Sequence, residues 1–326
     1  MSRPATPAAD AVRSGDRRAL ARAITLLEGT RPDQTAAGRA LLEELLPHTG
    51  GAVRVGITGP PGVGKSTFIE VLGMWLIARG KRVAVLAVDP SSPVTGGSIL
   101  GDKTRMERLA QEAAAFIRPS PSGAALGGVA HRTREAMLVC EAAGFDVVIV
   151  ETVGIGQSEV AVHSMVDSFL VLLQPGAGDD LQGIKKGVLE LADALVVNRA
   201  DGDQRAAAER TRAAYASALG LLRPPSERWA PRVLLASARS GEGVEEVWQM
   251  VLEHRAALEE GGELAARRRR QALAWLWSLL EEGLREAFRA HPRVEERLGR
   301  LEADVEAQRS SPAAAARELL EAFSKR

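Results

Sequence analysis

From Val53 onward, apolar runs of strand length alternate with stretches whose apolar residues recur at helical spacing. Val53–Thr58, Arg82–Val88, Asp146–Val150, Ser168–Leu173, Ala194–Val197 and Arg232–Leu235 read as strands, and Ala115–Arg118 as a weaker one. Strands separated by helices predict an α/β fold with a mostly parallel sheet wound on both faces. Such sheets bind ligands beyond the carboxyl ends of their strands. Ahead of the sheet, Asp16–Leu46 carries helical periodicity in two pieces, broken at Gly29-Thr30-Arg31-Pro32. Residues 1 to about 15, rich in Pro, Ala and Ser, read as disordered. After Gly261-Gly262 the strand signal stops. Ala266–Ala290 sets Leu273, Leu276, Trp277, Leu280, Leu284 and Phe288 at steps of three and four, an apolar stripe along one helix. Arg293–Phe323 reads as one or two further helices, interrupted near Ser310-Ser311-Pro312. The stripe buries itself either on the preceding domain or against a second copy, and the pattern alone leaves both open. These breaks divide the chain into a helical extension (1–50), a sheet domain (51–260) and a helical tail (261–326).

Composition narrows the partners. The 326 residues are 45% apolar and 26% charged, ordinary for a globular protein. Lys+Arg and Asp+Glu balance at 42 each, so there is no basic field to hold a polyanion and nucleic acid is not expected as a partner. The lone cysteine, Cys140, falls in a helical stretch and reads as a small core residue; it excludes an internal disulfide and suits a reducing, cytoplasmic compartment. The most intense apolar run, Phe169–Leu173, is too short to span a bilayer. The N-terminus carries Asp10 and Asp16 and lacks the apolar core of a signal peptide, so no membrane association is expected.

The chemistry gathers at the strand ends. Gly59-Pro60-Pro61-Gly62-Val63-Gly64-Lys65-Ser66 has the G-x-x-x-x-G-K-[ST] form, between a strand and a helix that continues through Thr67. There, backbone N–H groups converge on a triphosphate, Lys65 neutralises its β- and γ-phosphates, and the Ser66 hydroxyl serves Mg²⁺. Glu151-Thr152-Val153-Gly154 stands where D-x-x-G follows a strand, with Glu151 offering a carboxylate toward the metal and Gly154 a close backbone approach. Asp89 and Asp102 are further carboxylates near the same edge, although Asp after a strand also serves as a helix N-cap. Asn198-Arg199-Ala200-Asp201 has the N-[KR]-x-D shape that reads guanine. A carboxylate at Asp201 accepts from the ring N1–H and the exocyclic amine, a donor pair that adenine lacks. Asn198 braces the loop, the stem of Arg199 covers the base, and Ser237-Ala238 supplies a backbone N–H to the base oxygen. GTP and GDP are therefore the expected nucleotides.

These blocks, together with Val88-Asp89-Pro90-Ser91-Ser92-Pro93, Gly96–Met106 and Gly154–Glu159, resemble the MeaB/ArgK family of P-loop GTPases over roughly residues 15 to 300. The resemblance implies a GTP-hydrolysing chaperone of adenosylcobalamin-dependent acyl-CoA mutases, chiefly methylmalonyl-CoA mutase. It implies a homodimer formed by the C-terminal arm, and Asp89, Asp102 and Glu151 around the magnesium. Gln174–Lys186 resembles the family's third switch, with Asp180 where Glu is expected. Asp179 and Lys185 are its candidate catalytic groups, with Lys185 acting as an arginine finger does. Cobalamin belongs to the partner, because no D-x-H-x-x-G motif is present.

Two other classes share the architecture. A nickel metallochaperone GTPase predicts a His-rich tail or a Cys/His pair, and the five histidines at 48, 131, 163, 254 and 291 are scattered. A kinase using ATP is opposed by Asn198–Asp201. The run Arg267-Arg268-Arg269-Arg270 reads as a solvated helix face, and Trp275 and Trp277 as core or interface.

Overall fold

A computed structural model describes residues 8–29, 31–88, 106–119, 126–152, 158–176, 186–221 and 226–324. The chain forms two compact units, Met1–Arg269 and Arg270–Arg326. The division falls inside a helix, beyond the change in composition at Gly261-Gly262.

The first unit opens with α1 (Ala9–Arg13), α2 (Arg17–Leu27) and α3 (Pro32–Leu45). The expected disorder is corrected for residues 8–15; residues 1–7 lie outside the described residues. Residues 9–13 are helical because Val12 is fully buried against the cluster that holds Leu20 and Ile24. Asp16 caps α2 by accepting from the Ala19 N–H at 2.7 Å, and Pro32 starts α3, where its missing N–H costs nothing.

The sheet follows as β1 (Val53–Thr58), β2 (Val83–Val88), β3 (Ala115–Arg118), β4 (Val147–Thr152), β5 (Ser168–Leu173), β6 (Ala194–Val197) and β7 (Arg232–Leu235), in the order β3-β2-β4-β1-β5-β6-β7. Every neighbouring pair is parallel. Both edge strands have four residues, which limits the unpaired backbone they present. The helices packed on the sheet are α4 (Lys65–Ile77), α5 (Glu107–Gln111), α6 (Leu126–Ala142), α7 (Ser158–His163), α8 (Lys186–Leu191), α9 (Arg205–Leu219) and α10 (Val244–Glu260).

Alternation along the strands divides the core into two layers. Ala84, Leu86, Val148, Val150, Phe169 and Val171 face the layer shared with Leu20, Ile24, Leu41, Met137 and Cys140, so the N-terminal helices cover the same sheet face as α6. Val83, Val85, Val147, Ile149, Leu170 and Leu172 face Phe68, Ile69 and Leu72 of α4 and Val247, Trp248 and Val251 of α10. Each fully buried Leu, Ile or Phe contributes about 1.5–3 kcal/mol. β4 runs further than its sequence pattern suggests. Glu151 lies within the strand, opposite Ile57, because Thr152 still pairs with Val88 on β2.

At the amino ends of the strands, a buried polar cluster corrects the reading of the arginine run. α11 (Glu263–Arg289) starts in the first unit. Arg268 there grips both oxygens of buried Asp167, at 2.8 and 2.6 Å, and donates to the carbonyl of Ala52 at 2.9 Å. Arg267 reaches Asp193 at 3.3 Å. Asp193 also lies 3.3 Å from His254, whose Nδ1 is 2.7 Å from Ser168 Oγ. Burial pushes the Asp193 carboxyl up, but the His254 hydrogen bond and the Arg267 charge outweigh it, leaving a net downward shift. Arg269 and Arg270 remain exposed.

The second unit contains the rest of α11 with α12 (Pro292–Glu306) and α13 (Pro312–Ser324). Val294, Leu301, Ala315 and Leu319 form its core, and Phe288 meets Phe323 edge to face at 5.4 Å. Phe288 thus turns inward from the α11 stripe, while Leu273, Leu276, Trp277, Leu280 and Leu284 are exposed.

Candidate functional site

β1 ends at Thr58 and the phosphate loop begins at Gly59. Gly59, Gly62 and Gly64 have φ of 148°, 79° and 92°, a region that favours glycine. Space is as restrictive as backbone angle. A Cβ on Gly59 would lie 2.6 Å from the Leu172 carbonyl oxygen, and one on Gly64 2.8 Å from Asn198 Nδ2. α4 starts at Lys65 behind Gly64, a residue with no side chain to cap it. Lys65 is buried, and its ammonium donates to the carbonyls of Gly59 at 2.8 Å and Pro60 at 3.2 Å. The Pro60 carbonyl also accepts from Val63, while Pro61 is exposed at the loop tip.

The first residue of α4 past the lysine meets the end of β4. Ser66 Oγ donates to Glu151 Oε1 at 3.1 Å, although the two residues are 85 positions apart. A hydroxyl and a carboxylate are hard oxygen donors, and Mg²⁺ takes only one or two such groups beside waters and phosphate oxygens, so the pair fits that ion. Among the described residues, no group of three or more His, Cys, Asp or Glu is placed to hold a metal ion. Asp89, Asp102, Gly154, Asp179 and Lys185 lie outside the described residues.

The base side is assembled from the ends of β6 and β7. Buried Asn198 joins three loops: its amide donates to the Val63 carbonyl at 2.9 Å, and its oxygen accepts from the Ala238 N–H at 3.0 Å. Arg199 adopts φ 60°, uncommon for a residue with a Cβ, and its guanidinium donates to the Gly62 carbonyl. Asp201 accepts from Ser237 Oγ at 2.7 Å. Of Ser237-Ala238, expected to give the base oxygen a backbone N–H, the Ser237 N–H donates to the Glu242 carbonyl at 2.8 Å and the Ala238 N–H to Asn198. The Ser237 hydroxyl also accepts from the N–H groups of Arg239 and Ser240, so this serine organises its own turn. An open cleft of about 540 Å³ lies between the loops, lined by Gly64, Thr67, Asn198, Arg199, Asp201, Gly202 and Ala238. Asp203, Gln204 and Arg239 complete it. Sequence reasoning passed over these three and Gly202 because no motif contains them, though each falls within three residues of one.

The family profile described as Methylmalonyl Co-A mutase-associated GTPase MeaB matches residues 20–293. The chain belongs to the MeaB family. GTPase ArgK of Escherichia coli is 53% identical over 271 residues, covering 83% of this chain and 82% of that one. The methylmalonic aciduria type A homolog, mitochondrial, of Mus musculus is 47% identical over 325 residues, 96% of this chain and 78% of that one. A crystal structure of LAO/AO transport system kinase matches with TM-score 0.79 and 40% identity across all of both chains. As a MeaB-family P-loop GTPase, the chain hydrolyses GTP. No helix among its described residues is long and apolar enough to cross a membrane.

Two contacts of this MeaB-family site have no counterpart in the sequence reading. One is the hold of Arg199 on Gly62; the other is a hydroxyl pair, Thr58 and Thr152, behind Glu151. Threonines ending two apolar strands were the only available signal, and threonine is common in strands for its shape alone.

Proposed function

We infer that this GTPase is a chaperone of an adenosylcobalamin-dependent acyl-CoA mutase, methylmalonyl-CoA mutase before others, and that hydrolysis gates cofactor loading and protects or reactivates the mutase. The observation that carries this reading is the family match over residues 20–293, whose description names that mutase. The cobalamin enters only with the partner.

In this reading, the phosphate loop and Lys65 hold the β- and γ-phosphates. Asp201 accepts from the guanine N1–H and amine, Asn198 keeps the base loop against the phosphate loop, and Ser237-Ala238 border the base oxygen. Ser66 and Glu151, with Asp89 and Asp102, hold Mg²⁺, which neutralises charge on the transferring phosphoryl group. Hydrolysis is in-line attack by water, dependent mainly on positioning. Asp179 and Lys185 complete the site when the mutase docks, so turnover is slow alone and stimulated by the partner. The exposed α11 stripe pairs two copies into a homodimer. The single buried cysteine suits a cytoplasmic setting.

The test is a pull-down of purified methylmalonyl-CoA mutase with the GTP-loaded chain, read together with GTPase rate. Co-purification with stimulated turnover supports the reading, and Lys185→Ala is expected to lose the stimulation while keeping basal turnover. No binding and no stimulation by any of the acyl-CoA mutases removes it. Because one similar structure is that of a protein called a kinase, GTP and ATP binding are compared in the same preparation. Preference for ATP overturns the base-site assignment.

A further inference from the structure

The strands that carry the phosphate loop and Glu151 meet behind the site through two hydroxyls. Thr58 ends β1, Thr152 ends β4, both are 1% exposed, and their Oγ1 atoms lie 2.6 Å apart. At that distance one hydroxyl donates and the other accepts. A buried carboxylate lies beside the pair. Glu159 Oε1 on α7 is 3.5 Å from Thr58 Oγ1, a long contact to which Thr58 can donate while Thr152 donates to Thr58.

The position of the pair bears on the metal edge. The ladder between β1 and β4 runs to Ile57 opposite Glu151. The hydroxyl contact carries the cross-strand link one residue further, immediately before Gly59 on one strand and immediately after Glu151 on the other. Packing alone does not require it, since valines fill the same volume without two buried polar groups to satisfy. What the hydroxyls add is a directional tie between the strand end bearing the loop of Ser66 and the strand end bearing Glu151. Through Glu159 the tie also reaches α7.

We propose that Thr58, Thr152 and Glu159 form a positioning relay that sets the Glu151 carboxylate against Ser66 and so tunes how tightly magnesium is held with the nucleotide. None of the three lines the cleft; they act through Glu151. The relay rests on the reading of Ser66 and Glu151 as magnesium groups, and the experiment separates the two.

Dissociation of fluorescently labelled GDP is measured for the full chain in EDTA and across a magnesium titration, in wild type, Thr152→Val, Thr152→Ser, Thr58→Val and Glu151→Gln. Outer partners of metal ligands change metal affinity by 10-fold or more, so Thr152→Val is expected to need on the order of 10-fold more magnesium to reach tight binding. Its GDP affinity in EDTA is expected to match wild type. Thr152→Ser restores the wild-type midpoint, and Thr58→Val shifts it in the same direction, which keeps the test available if one variant folds poorly. An unchanged midpoint in the valine variants while Glu151→Gln is shifted overturns the relay alone. Equal loss of affinity with and without magnesium also overturns it, marking hydroxyls that only stabilise the fold. A Glu151→Gln midpoint equal to wild type removes the magnesium reading and the relay with it.

Discussion

At the scale of single residues, two side chains offer sharp tests. In the proposed base site, Asp201 selects guanine by accepting two hydrogen bonds, each worth about 1.5–3 kcal/mol when one partner is charged. Asp201→Asn replaces one acceptor with a donor, which suits the 2-oxo group of xanthine. GTP affinity is expected to fall about 100-fold while xanthosine triphosphate gains, as read by competition against labelled GDP. Glu135 on α6 offers a different test. Burial pushes its carboxyl up to about 7, partly opposed by the charges of Arg39 and Arg132. Its folded pKa therefore lies above its unfolded one. Its contribution to stability is greatest below about pH 4.5, where both states are protonated, and is lost as pH rises through about 7, where the folded protein ionises a half-buried group. The loss is on the order of 1–3 kcal/mol after allowance for solvent screening. Glu135→Gln is expected to flatten that slope of melting temperature between pH 5 and 8 and to stabilise the protein at the alkaline end.

Elements were legible where their pattern is local. All seven strands are visible as apolar runs, because a doubly covered parallel strand is apolar on both faces. Helix breaks at Gly29-Thr30-Arg31-Pro32 and Ser310-Ser311-Pro312 follow from glycine and proline chemistry alone. Long-range pairing was not legible. Arg267 and Arg268 look like a solvated run since their partners, Asp193 and Asp167, lie 74 and 101 residues away. The same limit hid the Thr58–Thr152 pair, 94 residues apart, whereas Ser66, Glu151, Asn198 and Asp201 were singled out because their spacing belongs to motifs. The arginine run yields a prediction at this scale. Arg268→Met leaves Asp167 buried without its main countercharge, and urea unfolding is expected to show a loss of about 3–5 kcal/mol. Arg270→Met, on the exposed part of the same run, is expected to stay within about 0.5 kcal/mol of wild type. Equal effects at the two positions would show that the ion pair contributes nothing beyond an exposed one.

At the scale of the whole molecule, the nucleotide site and the proposed dimer make separate demands on the chain. The site is built within the first unit, from strand ends, the phosphate loop and the base loops. The proposed dimer instead uses α11, where Leu273, Leu276, Trp277, Leu280 and Leu284 stand exposed at helical spacing. Isolated apolar residues on a surface need no explanation, but five along one stripe of one helix form the kind of seam that two helices bury together. Trp277 is 64% exposed and is the largest of the five. Trp277→Glu places a charge inside that seam, and an unpaired buried carboxylate costs several kcal/mol, enough to raise a dimer dissociation constant about 100-fold or more. Sedimentation equilibrium is expected to show the wild-type chain as a dimer and the variant as a monomer at micromolar concentration. Its GDP affinity should be unchanged, because no residue of α11 lines the cleft. A wild-type monomer sinks the dimer, and a variant that dissociates and also loses GDP shows that the two units are not energetically separable.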